Sequence, residues 1–411
     1  MSSKGNVTAV IGQSGGPTAV INQSLVGVIQ EVRKTRHIHN LLGARHGVRG
    51  IVNEDFINLN DVPDELLERI AVTPAAALRS TRDKPDHVYC ERIFRSFAKN
   101  NVRYFFYIGG NDSADTARIV SELAKAENHD LQVFHIPKTI DNDLRVHDHT
   151  PGYGSAARFV ATAMIGDNFD NRSLPGIKID VLMGRNAGYL TAATALARQH
   201  EEDGPHLIYI PEQPIDVEKL IGDVDRIYSK RGRCLIAVSE GIVAPDGRTW
   251  FELLAEGHER DAHGNLQLSG SGELGDHLAN LIEKSLSPAG GKKLRVRADT
   301  FGYIQRSFPG CVSEVDAKEA RMVGQLAVRF SIDRGNRGSV AMKRVGTGDY
   351  RVEYFLTPLE TVAKETRKMD PSFYQEGNDV TEAFLDYARP LIGRLAQTGS
   401  FDELKLNGHG R

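Results

Sequence analysis

The sequence predicts an α/β protein with mostly parallel sheets, and three observations carry that prediction. Short apolar, β-branched runs recur along the chain, each followed by glycine or a polar turn and then a helical pattern. Forty glycines supply the many strand-to-helix turns that such an alternation needs. The 411 residues are 40% hydrophobic and 26% charged, which suits a folded chain of two or three lobes and excludes whole-chain disorder.

In chain order, strands are expected over residues 7–11, 104–108, 133–136, 179–183, 207–210, 235–239 and 294–298, each a compact run rich in Val, Ile, Leu or Phe. In open α/β sheets ligands sit beyond the carboxyl ends of the strands, so chemistry is sought just after each run. Residues 264–275 (GNLQLSGSGELG) are glycine- and serine-rich and are expected to form a loop. Residues 339–345 and 350–355, separated by Gly346-Thr347-Gly348-Asp349, suit a β-hairpin. Thr357-Pro358-Leu359-Glu360 then has the cap, proline and early acid of a helix start.

Charge and cysteine use narrow the function. Lys and Arg number 51 against 54 Asp and Glu, a net charge of −3, which argues against a nucleic-acid partner but leaves room for a small polyanion. Cys90, Cys234 and Cys311 are odd in number and far apart, so neither a disulfide framework nor a structural zinc site fits. No basic-then-apolar export signal opens the chain, and no apolar run approaches the ~20 residues that span a bilayer. A cytoplasmic location and no membrane partner are therefore expected.

Three polar turns follow predicted strands. The first is Ser14-Gly15-Gly16, where a glycine pair before a helix makes a ready phosphate site or merely a tight turn. The second is Gly109-Gly110-Asn111-Asp112-Ser113, with the same strand, glycine pair and helix order. The third is Lys138-Thr139-Ile140-Asp141-Asn142-Asp143, which sets an ammonium three residues from a carboxylate. That pairing suits charge neutralisation on a phosphoryl group while an acid takes a proton, though an Asx-turn or helix caps would account for the acids alone. The pairs His37/His39 and His147/His149 lack third and fourth ligands at a recognisable spacing and are expected to be surface or loop histidines.

These motifs, with Met183-Gly184-Arg185, Ser239-Glu240-Gly241, Arg297 and Gly302-Tyr303-Ile304-Gln305-Arg306, resemble the 6-phosphofructokinase family in kind and in order from residue 7 to about 309. The resemblance implies two Rossmann-like, three-layer αβα lobes with the active site in the cleft between them. It implies a phosphoryl-donor lobe of residues 1–150 plus roughly 276–310. A sugar-phosphate lobe of residues 151–275 plus roughly 311–411 carries the C-terminal hairpin and helices. It implies transfer of a phosphoryl group to the 1-hydroxyl of fructose 6-phosphate, reversibly, in glycolysis and gluconeogenesis.

ATP-using relatives carry glycine at the positions of Asp112 and Lys138. Asp112 fills the space of the ATP α-phosphate with an anion, and unit charges 4 Å apart repel by about 4 kcal/mol at intermediate dielectric. The resemblance is therefore to the pyrophosphate-dependent branch, with phosphate as the second product. An ATP-dependent enzyme tolerating Asp112, or a non-catalytic regulatory subunit, are the alternatives. By the same resemblance Asp141 is the general base, while Lys138 and Arg185 stabilise the transferring group. Gly15 cradles pyrophosphate with Arg82. Thr139, Ile140, Met183, Gly184, Glu240, Tyr303, Ile304 and Gln305 contact substrate, Arg297 and Arg306 bind the sugar 6-phosphate, and Asp143 supports the metal site. Mg²⁺ is the implied cofactor, with Asn111 at its position where many relatives have aspartate. A homodimer or homotetramer is implied, with Arg297 acting across the interface.

Overall fold

The computed structural model describes residues 6–254, 272–289, 291, 293–333, 337–346, 349–375, 378–399 and 401. In chain order the strands of its two main sheets are β1 (Thr8–Gln13), β2 (Asn40–Ala44), β3 (Phe56–Asn58), β4 (Val102–Gly109), β5 (Gln132–Pro137), β6 (Ile177–Leu182), β7 (Leu207–Tyr209), β8 (Cys234–Ser239), β9 (Val296–Thr300), β10 (Gly338–Arg344) and β11 (Val352–Thr357). The first sheet runs β11-β10-β5-β4-β1-β2-β3, parallel in its interior and antiparallel only at its two edges. The second runs β7-β8-β6-β9 and is parallel throughout. Central strands buried on both faces explain the unbroken apolar runs of β1, β4 and β8. The predicted Rossmann-like α/β lobes are therefore present.

Helices cover both faces of the first sheet. Ile21, Leu25 and Ile29 of the helix Ile21–Val32 share one apolar cluster with Phe106 and Phe134, while Phe94 and Phe97 of the helix His87–Lys99 pack with Phe105 and Val133 in another. The long helix Glu314–Asp333 crosses Ile21–Val32 at very short range. A Cβ on Gly27 would meet the Arg321 carbonyl oxygen at 2.2 Å, and one on Gly324 the Ser24 carbonyl oxygen at 2.1 Å. Only hydrogen fits between the two backbones.

Two segments lie in the opposite lobe from the one the sequence suggests. β9, within 276–310, pairs with β6 from Ile177↔Val296 to Val181↔Thr300 and belongs to the second sheet. The helix Glu273–Leu286 covers it, with Leu278 and Ile282 packed beside Val296. The hairpin β10–β11, within 311–411, instead extends the first sheet. Gly338 and Ser339 lie beside Phe134 and His135, and Val340 and Met342 enter the first core. The chain crosses between lobes more often than linear order suggests, because strand pairing decides membership. The last helix among the described residues, Glu382–Ile392, packs on Tyr153–Ser173 in a cluster with Leu182 and Leu235.

Local expectations meet mixed outcomes. β2 and β3 are additional strands, short and polar-edged, that the apolar-run pattern passes over. Of the expected loop over 264–275, residues 264–271 lie outside the described residues, and Glu273–Gly275 opens a helix instead. The helix after Thr357 is a single turn, Leu359–Val362; Thr357 ends β11 and its hydroxyl meets that of Thr361 at 2.9 Å. His37 and His39 are exposed, whereas His147 and His149 are buried. His149 bonds Asp148 and Glu319, both at 2.7 Å. Burial pulls its pKa down, but those two carboxylates outweigh it and hold the value at about 9.

Candidate active site

β1 lies between β4 and β2, so the order reverses at the β1/β4 gap and a crevice opens beyond its carboxyl end. The turns after β1, β4 and β5 meet there. Ser14 Oγ lies 3.2 Å from the Ile108 carbonyl and 2.5 Å from Ser113 Oγ, which ties the first turn to the second. The Gly15 N–H donates to the Thr81 carbonyl at 3.0 Å, so it is already engaged within the protein rather than open to a phosphate. Gly15 contributes its left-handed backbone instead, at φ +73°, and a Cβ there would stand 3.3 Å from Lys138 Nζ.

The helix Asn111–Ala126 starts directly after Gly110, which offers no side-chain cap, so its first turn faces the cleft. Beneath it His135 donates from Nε2 to the Gly109 carbonyl at 2.8 Å and accepts the Ser339 hydroxyl at Nδ1. Burial lowers this imidazole to about 3, so it is a neutral strut.

Lys138, after β5, is buried and donates to the Gly16 carbonyl at 2.6 Å. Burial, then the nearby Arg306 cation, lower its pKa to about 8. Asp141 lies in the same cleft, and burial raises its pKa against the pull of Lys138 and Arg185. Burial and then the charge of Asp141 push Asp143 up to about 7. Asp112 lines the cleft, is 85% exposed and pairs with Lys84 at 3.2 Å.

The second sheet supplies the opposite wall. Met183 and Arg185 follow β6, Glu240 follows β8 with its N–H on the Leu182 carbonyl at 2.8 Å, and Tyr303 and Arg306 follow β9. The Arg306 guanidinium lies 4.4 Å from the Tyr303 ring centre, and burial lowers its pKa. It also reaches across the cleft: a Cβ on Gly16 would stand 2.9 Å from its Nη1. The resulting cleft is about 700 Å³.

Most of the residues singled out in the sequence meet in this cleft. Gly15, Arg82, Asn111, Asp112, Lys138, Thr139, Ile140, Asp141, Asp143, Met183, Arg185, Glu240, Tyr303 and Arg306 all line it. Four do not. Gly184 accepts the Ser239 hydroxyl at its carbonyl. Gln305 is buried and accepts the Met183 N–H at 3.2 Å, supporting the wall from behind. Ile304 is exposed, and Arg297 is exposed on β9, away from the cleft of its own chain. Asn186, Lys364 and Thr366 line the cleft unannounced. Asn186 directly follows Met183-Gly184-Arg185 and could have been found there; the other two sit in a segment without a motif.

One further acidic group, Asp167, Asp180 and Asp299, has carboxylate oxygens within 4.8 Å of one another. None of the three lines the cleft, and Lys178 pairs with all of them, so a lysine already supplies the cation there.

Comparison with known proteins gives the family. The phosphofructokinase family profile matches residues 8–331. The chain belongs to the phosphofructokinase family. It is 55% identical over 392 residues to a pyrophosphate--fructose 6-phosphate 1-phosphotransferase of Rhodospirillum rubrum, covering 95% of each chain. A protein of the same description from Halomonas elongata is 37% identical over 93% of this chain and 91% of that one. The crystal structure of a pyrophosphate-dependent phosphofructokinase from Nitrosospira multiformis superposes with a TM-score of 0.82 at 31% identity, over 97% of this phosphofructokinase and 94% of that one.

Proposed function

We infer that this phosphofructokinase uses pyrophosphate. It moves a phosphoryl group to the 1-hydroxyl of fructose 6-phosphate, giving fructose 1,6-bisphosphate and phosphate, reversibly. The observation that carries the reading is the set Asp112, Lys138 and Asp141 in one cleft: an exposed anion, a buried ammonium and a half-buried carboxylate.

In the forward direction Asp141 takes the proton of the 1-hydroxyl as its oxygen bonds the incoming phosphorus. The phosphorus–oxygen bond to the leaving phosphate breaks, and the charge spread over the phosphoryl oxygens is met by Lys138 and Arg185. Burial raises the basicity of Asp141, which suits a base. Glu240 is placed to accept from sugar hydroxyls, and Arg306 and Arg82 to hold phosphate oxygens with planar guanidinium forks.

The residues fit Mg²⁺. Asn111 donates from its amide nitrogen to Asp143 at 2.9 Å, leaving its buried carbonyl oxygen without a partner, as is Asp141 Oδ1. With the Asp143 carboxylate these make an all-oxygen donor set, the kind Mg²⁺ takes alongside waters and phosphate oxygens. The ion would add positive charge at the phosphoryl oxygens.

Arg297 supports a homo-oligomer, dimer or tetramer. It is a family sugar-phosphate position that its own chain leaves exposed on the edge strand β9, where a neighbouring subunit's cleft can use it. Three buried, unbridged cysteines accord with a reducing cytoplasm, and no described helix is long and apolar enough to cross a membrane.

The deciding experiment compares kcat/KM for pyrophosphate and ATP in the wild type and in Asp112→Gly. Wild type should work with pyrophosphate, and the variant should shift the donor ratio toward ATP. A wild type that prefers ATP, or a ratio that does not move, would overturn the assignment.

A further inference from the structure

The C-terminal segment sends one cation into the cleft that no motif announces. Lys364 follows the helix Leu359–Val362 and lines the cleft with Thr366. The elements around it place it on the donor side. Val362 and Ala363 are buried against Ala114, in the first turn of the helix Asn111–Ala126, and against Leu144, next to Asp143. Thr366 forms an antiparallel bridge with Leu144. Arg367 then grips the loop that carries the catalytic carboxylates. Its N–H donates to the Asp143 carbonyl at 2.6 Å, and its guanidinium donates to the carbonyls of Asn142 at 2.7 Å, Asp148 at 2.8 Å and His147. Lys364 is thus held between two anchored stretches, beside the turn of Asn111 and Asp112.

Its backbone pays for that position. Lys364 has φ +74°, a left-handed conformation that L side chains adopt at a cost. Glycine would take it freely, yet the residue is a lysine. Neighbouring Glu365 pairs with Arg145, and among the described residues no carboxylate pairs with the Lys364 ammonium. Strain, an exposed ammonium without an internal counter-ion, and a seat on the cleft wall occur at one residue. Pyrophosphate has no nucleoside to grip, so its affinity must come from charge contacts.

We propose that Lys364 is a donor-binding residue, contacting the inorganic pyrophosphate and, in the reverse reaction, the inorganic phosphate that takes its place. This rests on the pyrophosphate reading of the cleft. The test is steady-state kinetics of Lys364→Met, Lys364→Gly and Lys364→Arg with pyrophosphate, fructose 6-phosphate and inorganic phosphate varied in turn. Met and Gly should raise the KM for pyrophosphate and for phosphate by about tenfold, one lost charge contact, while the KM for fructose 6-phosphate stays within about twofold. Arg should stay close to wild type. The Gly variant should melt at or above the wild-type temperature, since it relieves the positive φ, so its lost affinity would not come from unfolding. An unchanged KM for pyrophosphate in both Met and Gly, or a rise confined to fructose 6-phosphate, would overturn the proposal. A wild type that does not turn over pyrophosphate would instead overturn the functional reading beneath it.

Discussion

Asp141 and Lys138, the proposed base and its neighbouring cation, are oppositely charged groups of one cleft whose pKa values move toward each other. Burial lifts Asp141 and lowers Lys138, so each is nearer to exchanging its proton than in water. Asp141→Asn should lower kcat by about 10²–10⁴-fold, the usual weight of a general base, with a much smaller change in either KM. Near-full turnover in that variant would remove Asp141 from the role. Lys138 must be charged to meet a phosphoryl group, and its value of about 8 in the ligand-free site gives the sign of a pH effect. Donor kcat/KM, which reports the free enzyme, should fall as pH rises through about 8. A profile flat to pH 9.5 would mean the lysine stays protonated or is not needed. The types and spacing of these residues were legible in the run from Lys138 to Asp143. The burial of Lys138 was not, because Gly15, Gly16 and Arg306, more than a hundred residues away in the chain, close around its ammonium.

Helix and turn geometry shows where elements are held together. The crossing of Ile21–Val32 with Glu314–Asp333 depends on Gly27 and Gly324, each filling a gap too small for a methyl group. Gly324→Ala would set a carbon 2.1 Å from the Ser24 carbonyl oxygen, so the helices must part. The expected cost is about 1–3 kcal/mol, as for overpacked cores, read by chemical denaturation with the denaturant slope unchanged. Stability equal to wild type would show that the crossing tolerates separation. At this scale the sequence announced β1, β4, β5, β6 and β8 well, since each is a central strand with an apolar run. It missed β2 and β3, whose NLLGA and FIN segments carry glycine and asparagine and reach the edge of the sheet. His147 and His149 lie in the loop after β5, as expected, but their burial was not legible for a related reason. A polar loop looks solvated in one dimension, but here Glu319 and Tyr350 arrive from distant elements to partner His149.

At the scale of the whole molecule, the cleft forms where the parallel strands of two sheets present their carboxyl ends, and Arg297 is the arginine left outside it, the ground of the shared-site proposal. Arg297→Ala and Asp141→Asn should each be nearly inactive alone. Co-expressed, they should recover about a quarter of wild-type activity if pairs of chains share sites as proposed, since half of the pairs would be hybrids with one intact site. No recovery would place Arg297's role within its own chain or outside catalysis. The sequence by itself determined the α/β class, the strand-end turns and the identities of the chemical groups, because these depend on short-range periodicity and on residues a few positions apart. The tertiary structure alone decided which sheet each segment joins. β9 pairs with β6 and the hairpin β10–β11 with β5, choices set by hydrogen-bond partners some 120 to 200 residues away. It also decided that Lys364 lines the cleft, since apolar packing of Val362 and Ala363 on Ala114 and Leu144 has no trace in local pattern. Contacts between residues close in sequence leave a period that can be seen; contacts made by folding distant segments together do not.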